Sequence, residues 1–431
     1  MTHHERVAEL EQIDAILDGH PEIVELVHAD LVRGVKNPEK GPRTLAAETV
    51  LRILIIKQTN DYTYKDLEFH LGATAIFRWF CRLDCVQLPK RATMQRDIQK
   101  IRPETLEEVN RIIVRHALEN GVESGRKVRT DCTCVETMIH APTDSSLLED
   151  CVRVLTRSLA ESRKVFPQIT YCDHTRRAKR RAKGIQYSRG KERRTELYRD
   201  LLIAAKKTLG YAQRAVETLT TLAQDGAELL ASELRRYIGL TEKVMAQTRR
   251  RVIEGESVPV EDKIVSIFEP HTDIIVKGGR DKVYGHKICL TAGASGMILD
   301  GKILEGNPAD STLTVEMMER VRDACGKIPR QATFDGAFAS RGNVKDVKAL
   351  GVRDVVFSKS RGIRIEDMAR SEWVYKRLRN FRAGIEATIS FLKRSFLLRR
   401  CTWRGETSFK SYVWSSILSA NLLIVARSAL R

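Results

Sequence analysis

Apolar residues between Thr44 and about Arg102 recur at helical spacing. Ala47, Leu51, Leu54 and Ile55 form one face, and Thr63, with Asp66 three residues on, caps a second run through Leu67 and Leu71 to Phe77. A third short helix follows Lys90-Arg91-Ala92-Thr93. Three compact helices with a basic third one suit a helix-turn-helix-like DNA reader, which sets cationic side chains in the major groove; an ordinary helical bundle gives the same pattern. The period changes at Arg126. Lys127 to Val135 alternates and is rich in β-branched residues, which predicts a strand with Asp131 in its middle. Propensity disfavours an acid there, so its presence points to a function or a cation that requires it.

Residues from Ser145 to about Glu254 return to helix. Tyr198, Leu202, Ala205, Leu209, Ala212, Val216, Leu219 and Ala223 step alternately by four and three, and Asp225-Gly226 breaks this seam before Leu230, Leu234 and Tyr237. The spacing predicts a long helical hairpin inserted in the chain, with a free-standing coiled-coil dimerisation arm as the alternative. Strand character resumes at Val283 to Leu290, again at Met297 to Leu299 and at Ile303-Leu304, with Gly293 to Gly296 as the turn. A helix from about Thr312 to Cys325, a strand from Gln331 to Phe338, a strand from Val352 to Ser358 and a basic helix from about Ser371 to Phe396 follow. Alternating strands and helices of this kind make a mixed α/β domain. The most apolar stretch, Tyr412 to Leu430, is interrupted by Ser415, Ser416, Ser419, Asn421 and Arg427, so it reads as a buried core helix rather than a membrane span.

Composition sharpens this picture in two places. The 431 residues carry 74 Lys and Arg against 56 Asp and Glu, a net charge of +18 that favours a polyanionic partner. Ten of those cations and a single acid, Glu192, fall between Thr175 and Arg194, with Tyr187 among them. Such a run repels itself unless anions neutralise it, which favours nucleic acid over a solvated face and marks Arg176, Arg177, Arg180 and Arg181 as DNA contacts. Nine cysteines, an odd number without a dense regular spacing, point to a reducing compartment. Cys81 and Cys85 with His70, or Cys172 with His174, do not complete a zinc set. Met1 to Leu10 has no cationic start before an apolar core, so no secretory signal is visible and the expected location is cytoplasmic, with no membrane partner.

The candidate chemistry rests on three acids: Asp131 and Asp335, in or just after strands, and Glu386 on the basic helix. Arg382 lies four residues before Glu386 and Lys393 seven after it, so the three share a helical face. A solvent-exposed ion-pair ladder would have the same spacing. Ile385, Ile389 and Leu392 beside that face argue instead for partial burial, where an acid needs a counter-ion. Three carboxylates without histidine suit Mg2+ or Mn2+, and two such ions per site can drive phosphodiester cleavage. His286 reads as a structural histidine, Asp310 after Asn307-Pro308 as a helix cap, and Trp403 and Trp414 as core.

Arg382, Glu386 and Lys393 have the Arg-x3-Glu-x6-Lys spacing of bacterial insertion-sequence transposases of the DDE type, and the chain resembles that family along most of its length. Pro142 to Leu148, Tyr284-Gly285-His286-Lys287, Gly306 to Thr312, Thr333-Phe334-Asp335-Gly336 and the stretch from Arg43-Thr44-Leu45-Ala46 to Phe80 are similar to it as well. The resemblance implies an RNase H-like catalytic domain, with Asp131 as the first-strand acid bridging both metals, Asp335 as the acid after the fourth strand and Glu386 as the helical acid. It further implies that Arg382 and Lys393 hold DNA phosphates, that the substrate is the double-stranded inverted-repeat ends and target DNA, and that a homodimer forms the synaptic complex. The implied organisation is a helical DNA-binding domain at 1–122, an RNase H-like domain at 123–142 and 256–431, and a basic helical insertion at 143–255. Two features depart from the family pattern. Arg379 stands where the signature has Tyr, exchanging a stacking ring for another cation, and the insertion lies between the first and second strands. A DNA-binding regulator without catalysis is one competing reading, disfavoured because all three acids are present; an RNase H-fold nuclease that cuts without strand transfer is another.

Overall fold

The computed structural model describes residues 5–35, 45–84, 88–222, 224, 226–277 and 281–431. Arg43, Thr44, Cys85, Ala223 and Asp225, all used in the sequence reading, lie outside the described residues. The chain forms two compact units, Met1–Thr137 with Gly285–Arg431, and Met138–Tyr284.

The first unit opens on helices α1 (Glu5–Asp18), α2 (Pro21–Leu31), α3 (Ala47–Thr59), α4 (Tyr64–Ala73), α5 (Ala75–Phe80), α6 (Arg91–Ile98) and α7 (Pro103–Glu119). Thr63 and Asp66 form the expected capping box at the start of α4: the Asp66 amide donates to Thr63 Oγ1 at 3.2 Å and the Thr63 amide to Asp66 Oδ2 at 3.1 Å. Proline at the first turn of α2 and α7 removes an amide that has no intrahelical partner there. Strand β1 (Lys127–Glu136) follows these helices.

The second unit holds α8 (Asp144–Val165), α9 (Thr175–Tyr187), α10 (Lys191–Leu222), α11 (Ala227–Thr248) and strand β2 (Asp273–Lys277). The seam on α10 is buried at Tyr198, Leu202, Ala205, Leu209, Ala212 and Leu219, where α8 and α11 cover it. Gln213 bonds Glu242 and Arg235 bonds Thr220, so α10 and α11 run antiparallel as a hairpin within one chain. Among the described residues the seam is therefore covered within the chain, as the helical hairpin requires.

Chain return to the first unit is through β3 (Asp281–Ala292), then β4 (Ile298–Ile303), α12 (Thr314–Cys325), β5 (Gln331–Phe334), α13 (Arg341–Ala349), β6 (Asp354–Phe357), α14 (Ile365–Met368), α15 (Glu372–Ser395) and α16 (Glu406–Ala429). The sheet order is β2-β3-β1-β5-β6, with β4 also paired to β3. β1 is antiparallel to β3 and parallel to β5, which is parallel to β6. The two fragments expected at 297–299 and 303–304 are one strand, because Gly301 lies against Leu290 and the buried Asp300 between them is neutralised by Arg320, whose Nε donates to Asp300 Oδ2 at 2.6 Å.

Helix α16 is long and apolar enough to cross a membrane, yet 89% of its most apolar window is buried inside the protein. Its polar interruptions are hydrogen-bonded in the core. Asn421 Nδ2 donates to Ile298 O at 2.7 Å and its Oδ1 accepts the Ile298 amide at 2.9 Å, while Ser415 Oγ accepts from Gln58 Nε2 at 2.6 Å. Helices α1, α3 and α7 pack on α16, so the helices of residues 5–119 share a hydrophobic core with the sheet. Trp403 and Trp414 are buried as expected.

Candidate active site

The parallel pairing of β1 with β5 sets Thr130 opposite Phe334. Asp131 and Asp335 each follow that pair by one residue, so two acids about 200 positions apart in sequence stand at the same level on neighbouring strands, at the carboxyl end of β5. That end of an open α/β sheet is where backbone direction and short loops leave room for ligands.

Helix α15 brings the third acid. It lies against β1, where Arg129 Nη1 donates to Phe381 O at 3.3 Å and its guanidinium stacks on the Phe381 ring at 4.8 Å. Gly384 permits this approach, since a Cβ there would come within 1.8 Å of Arg129 Nη1. Arg382 and Glu386, one turn apart, flank Gly384 by two residues on either side. Arg382 Nη2 reaches Asp131 Oδ2 at 2.6 Å and Asp335 Oδ1 at 3.4 Å, and its Nη1 donates to Glu386 Oε1 at 2.7 Å. A single guanidinium thus touches all three acids. The side chain of Arg382 is 14% exposed, Asp131 17%, Asp335 39% and Glu386 67%, so the helical acid is the one free to rearrange.

The two strand acids differ electrostatically. Burial pushes the Asp131 carboxyl above its ordinary value, opposed by the Arg382 charge and by the Cys132 amide, which donates to Asp131 Oδ1 at 2.8 Å. Burial also works against ionisation of Asp335, but Ser358 Oγ, donating to its Oδ1 at 2.7 Å, the amides of Gly336 and Ala337 and the Arg382 charge together hold it below the ordinary value. Ser358 also accepts the Gly336 amide at 2.9 Å, which fixes the turn after β5.

The donor chemistry of these three oxygen-bearing groups fits a hard divalent cation. As they stand, the acids converge on Arg382 rather than on one another, and among the described residues no three His, Cys, Asp or Glu side chains form a group able to hold a metal. Lys393 is half-buried on the same helix and Arg379 is exposed on it.

Other expected site residues are placed as follows. His286 is buried, with its ring against Phe409 at 4.7 Å. Asp310 is not a helix cap: it is the first residue of a short 3-10 turn, and its Oδ1 lies 2.5 Å from Lys287 Nζ. The four arginines of α9 divide into two pairs. Arg177 and Arg181 both bind Asp200 on α10, and the Arg177 bond in particular holds the Asp200 carboxyl below its ordinary value. Arg176 and Arg180 are exposed, and so are Lys179, Lys183 and Tyr187, the last 78% exposed. Positions 176, 179, 180, 183 and 187 fall on one helical face, opposite the buried Ala178, Ala182 and Ile185. The sequence reading missed Ser358 and Arg129 as supports of the site; a glycine inside the α15 pattern was the available signal for close packing at that level.

Residues 246–422 match the family model of a transposase DDE domain, and residues 3–100 match that of a transposase domain (DUF772). Asp335 and Glu386 lie inside the first match, whereas Asp131 lies outside both. No curated protein and no solved structure matches the chain.

Proposed function

Because this chain is an insertion-sequence DDE transposase, we propose that it binds the terminal inverted repeats of its element, cuts the phosphodiester at each end and joins the freed 3′-hydroxyls to target DNA, using Asp131, Asp335 and Glu386 in an RNase H-like domain. The observation that supports this most directly is the register that sets Asp131 beside Asp335, with Glu386 brought to the same place by α15.

Asp131 and Asp335 would be the fixed ligands of Mg2+ or Mn2+, two per site, and Glu386 the adjustable one. The chemistry such ions supply when bound is activation of a water or 3′-hydroxyl and stabilisation of the leaving oxygen. In cleavage the oxygen of water bonds to phosphorus as the bond to the 3′ oxygen breaks; in joining the 3′-hydroxyl takes the place of water at a target phosphodiester. The chain's own contribution is placement and charge. Ser358 and the two turn amides keep Asp335 ionised. Arg382, Lys393 and Arg379 supply cations on the helix that borders the acids, suited to the phosphates flanking the scissile bond.

Helices α3, α4 and α6 would read the inverted repeat in helix-turn-helix fashion, with Arg91 and Gln95 exposed on α6 and Gln99 exposed just after it. Two ends must be cut together, so a homodimer at the nucleoid is the expected working form. The test is incubation of purified protein with end-bearing DNA and Mg2+, followed on sequencing gels. Nicking at the element end and joined products are expected; binding without either product would reduce the chain to a regulator.

A further inference from the structure

We propose that Arg382 is a built-in counter-ion that occupies the space between the three acids in the DNA-free protein and yields it only when DNA phosphate draws its guanidinium away, so that divalent cation and DNA bind in a coupled manner. This rests on the reading of Asp131, Asp335 and Glu386 as metal ligands.

Three observations carry it. First, Arg382 Nη2 stands 2.6 Å from Asp131 and 3.4 Å from Asp335, between the two acids a shared cation would need, while Nη1 holds Glu386 at 2.7 Å. A divalent ion at those oxygens and a guanidinium cannot be there together, by volume and by like charge. Second, the Arg382 guanidinium divides a single charge among three carboxylates, whereas a divalent ion would bring twice that charge to the same oxygens once the arginine leaves. Third, the Arg382 Nε is buried and has no hydrogen-bond partner. Its resting contacts use only the two terminal nitrogens, whereas a phosphate approached through the Nε and Nη2 edge would engage the fork in its bidentate geometry. Arg382 is thus a positioning residue with two alternative partners: carboxylates in the free protein, the DNA backbone in the complex. Metal loading ahead of DNA is resisted, which keeps a free enzyme from cutting unselected phosphodiesters.

The test is Mn2+ binding to the full-length protein without DNA, measured by calorimetry and by the loss of the free-ion electron paramagnetic resonance signal. Arg382→Gln removes the charge and is expected to bind Mn2+ at least about tenfold more tightly than the unsubstituted protein, ~1.4 kcal/mol by the usual conversion. Its melting temperature without metal should fall, and should rise further on adding Mn2+ than that of the unsubstituted protein. Asp335→Asn should weaken Mn2+ binding in either background. If Arg382→Gln binds no more tightly while Asp335→Asn still weakens binding, the counter-ion role is wrong and the metal site stands. If Asp335→Asn changes nothing in either background, the metal-site reading falls and this inference with it. Should the glutamine variant not fold, Arg382→Lys serves instead. A lysine keeps the charge but cannot bridge three carboxylates, so several-fold tighter Mn2+ binding is expected, and affinity equal to that of the arginine protein overturns the proposal.

Discussion

Replacing Arg176, Lys179, Arg180 and Lys183 by glutamine is expected to cut the salt dependence of DNA binding without unfolding the second unit. The four side chains lie on the outward face of α9, and none is tied to an acid in the structure, whereas Ala178, Ala182 and Ile185 hold the opposite face in the core. At a rise of about 1.5 Å per residue, positions 176 to 183 extend over roughly 10 Å, enough to follow about three phosphates along one strand of a duplex. Each phosphate neutralised contributes about 0.9 to the slope of log affinity against log salt, so about three neutralised phosphates contribute ~2.7. Between 50 and 200 mM salt that amounts to a loss of roughly 40-fold which the variant should escape. Fluorescence anisotropy with a labelled duplex of arbitrary sequence, titrated at several salt concentrations, gives the slope directly. Arg177→Gln with Arg181→Gln is the internal comparison. Both are engaged by Asp200 and partly exposed, so their loss should cost ~1 kcal/mol or less of stability and change the slope little. A slope unmoved by the fourfold substitution would refute phosphate binding by this face. A slope moved equally by the Arg177 and Arg181 pair would refute the division between anchoring and contacting cations.

Asp335→Asn should abolish end cleavage and leave DNA affinity within about twofold, read by gel assay and anisotropy on one preparation; persistent cleavage would remove Asp335 from the site. Lys57, 4% exposed with its Nζ 5.2 Å from the centre of the Tyr64 ring, has its pKa pushed down to about 8 by burial. The unfolded chain therefore holds a proton that the folded chain lacks between pH 8 and 10.5, and stability should rise with pH across that window by up to ~3 kcal/mol. Lys57→Met should flatten that rise in denaturant titrations and gain ~1–3 kcal/mol at pH 7; an unchanged pH profile would show that the lysine finds relief elsewhere. Gly285 is paired with Glu136, and a Cβ there would lie 2.0 Å from Val135 O, so Gly285→Ala should cost ~2–3 kcal/mol and lower the melting temperature by about three to five degrees. A shift within two degrees would mean that the strands part readily.

What the sequence made legible follows how local each signal is. The capping box at Thr63, the seam on α10 and the core character of α16 are all written in spacings of a few residues, and the structure bears them out. Asp131 stood out because an acid breaks the preference of its own strand. The neighbour of Asp131 did not stand out, because the contact with Arg382 joins residues 251 positions apart, while spacing revealed only the local Arg382 and Glu386 pair. The break between the fragments at 297–299 and 303–304 closes for the same reason: Asp300, in the gap, is held in the strand by Arg320, twenty positions on. Helices α1, α2 and α7 and strand β2 went unassigned in the sequence reading, although Pro21 and Pro103 mark helix starts. Arg177 and Arg181 were grouped with Arg176 and Arg180 because density of charge says nothing of which way a helix faces.

Glu136 and Gly285 are direct cross-strand partners, so the β1–β3 ladder closes at one rung, with β2 and the first residues of β3 already at the sheet's edge before it. Topologically, β1 and β3 are the arms of a hairpin whose loop carries a second folded body and one strand of the sheet. A short Asn-Gly reversal could close the same rung. A miniaturised enzyme can therefore be sought by that one splice, which removes the edge strand β2 with the second body but leaves the pairing of the strands that carry Asp131 and Asp335 intact.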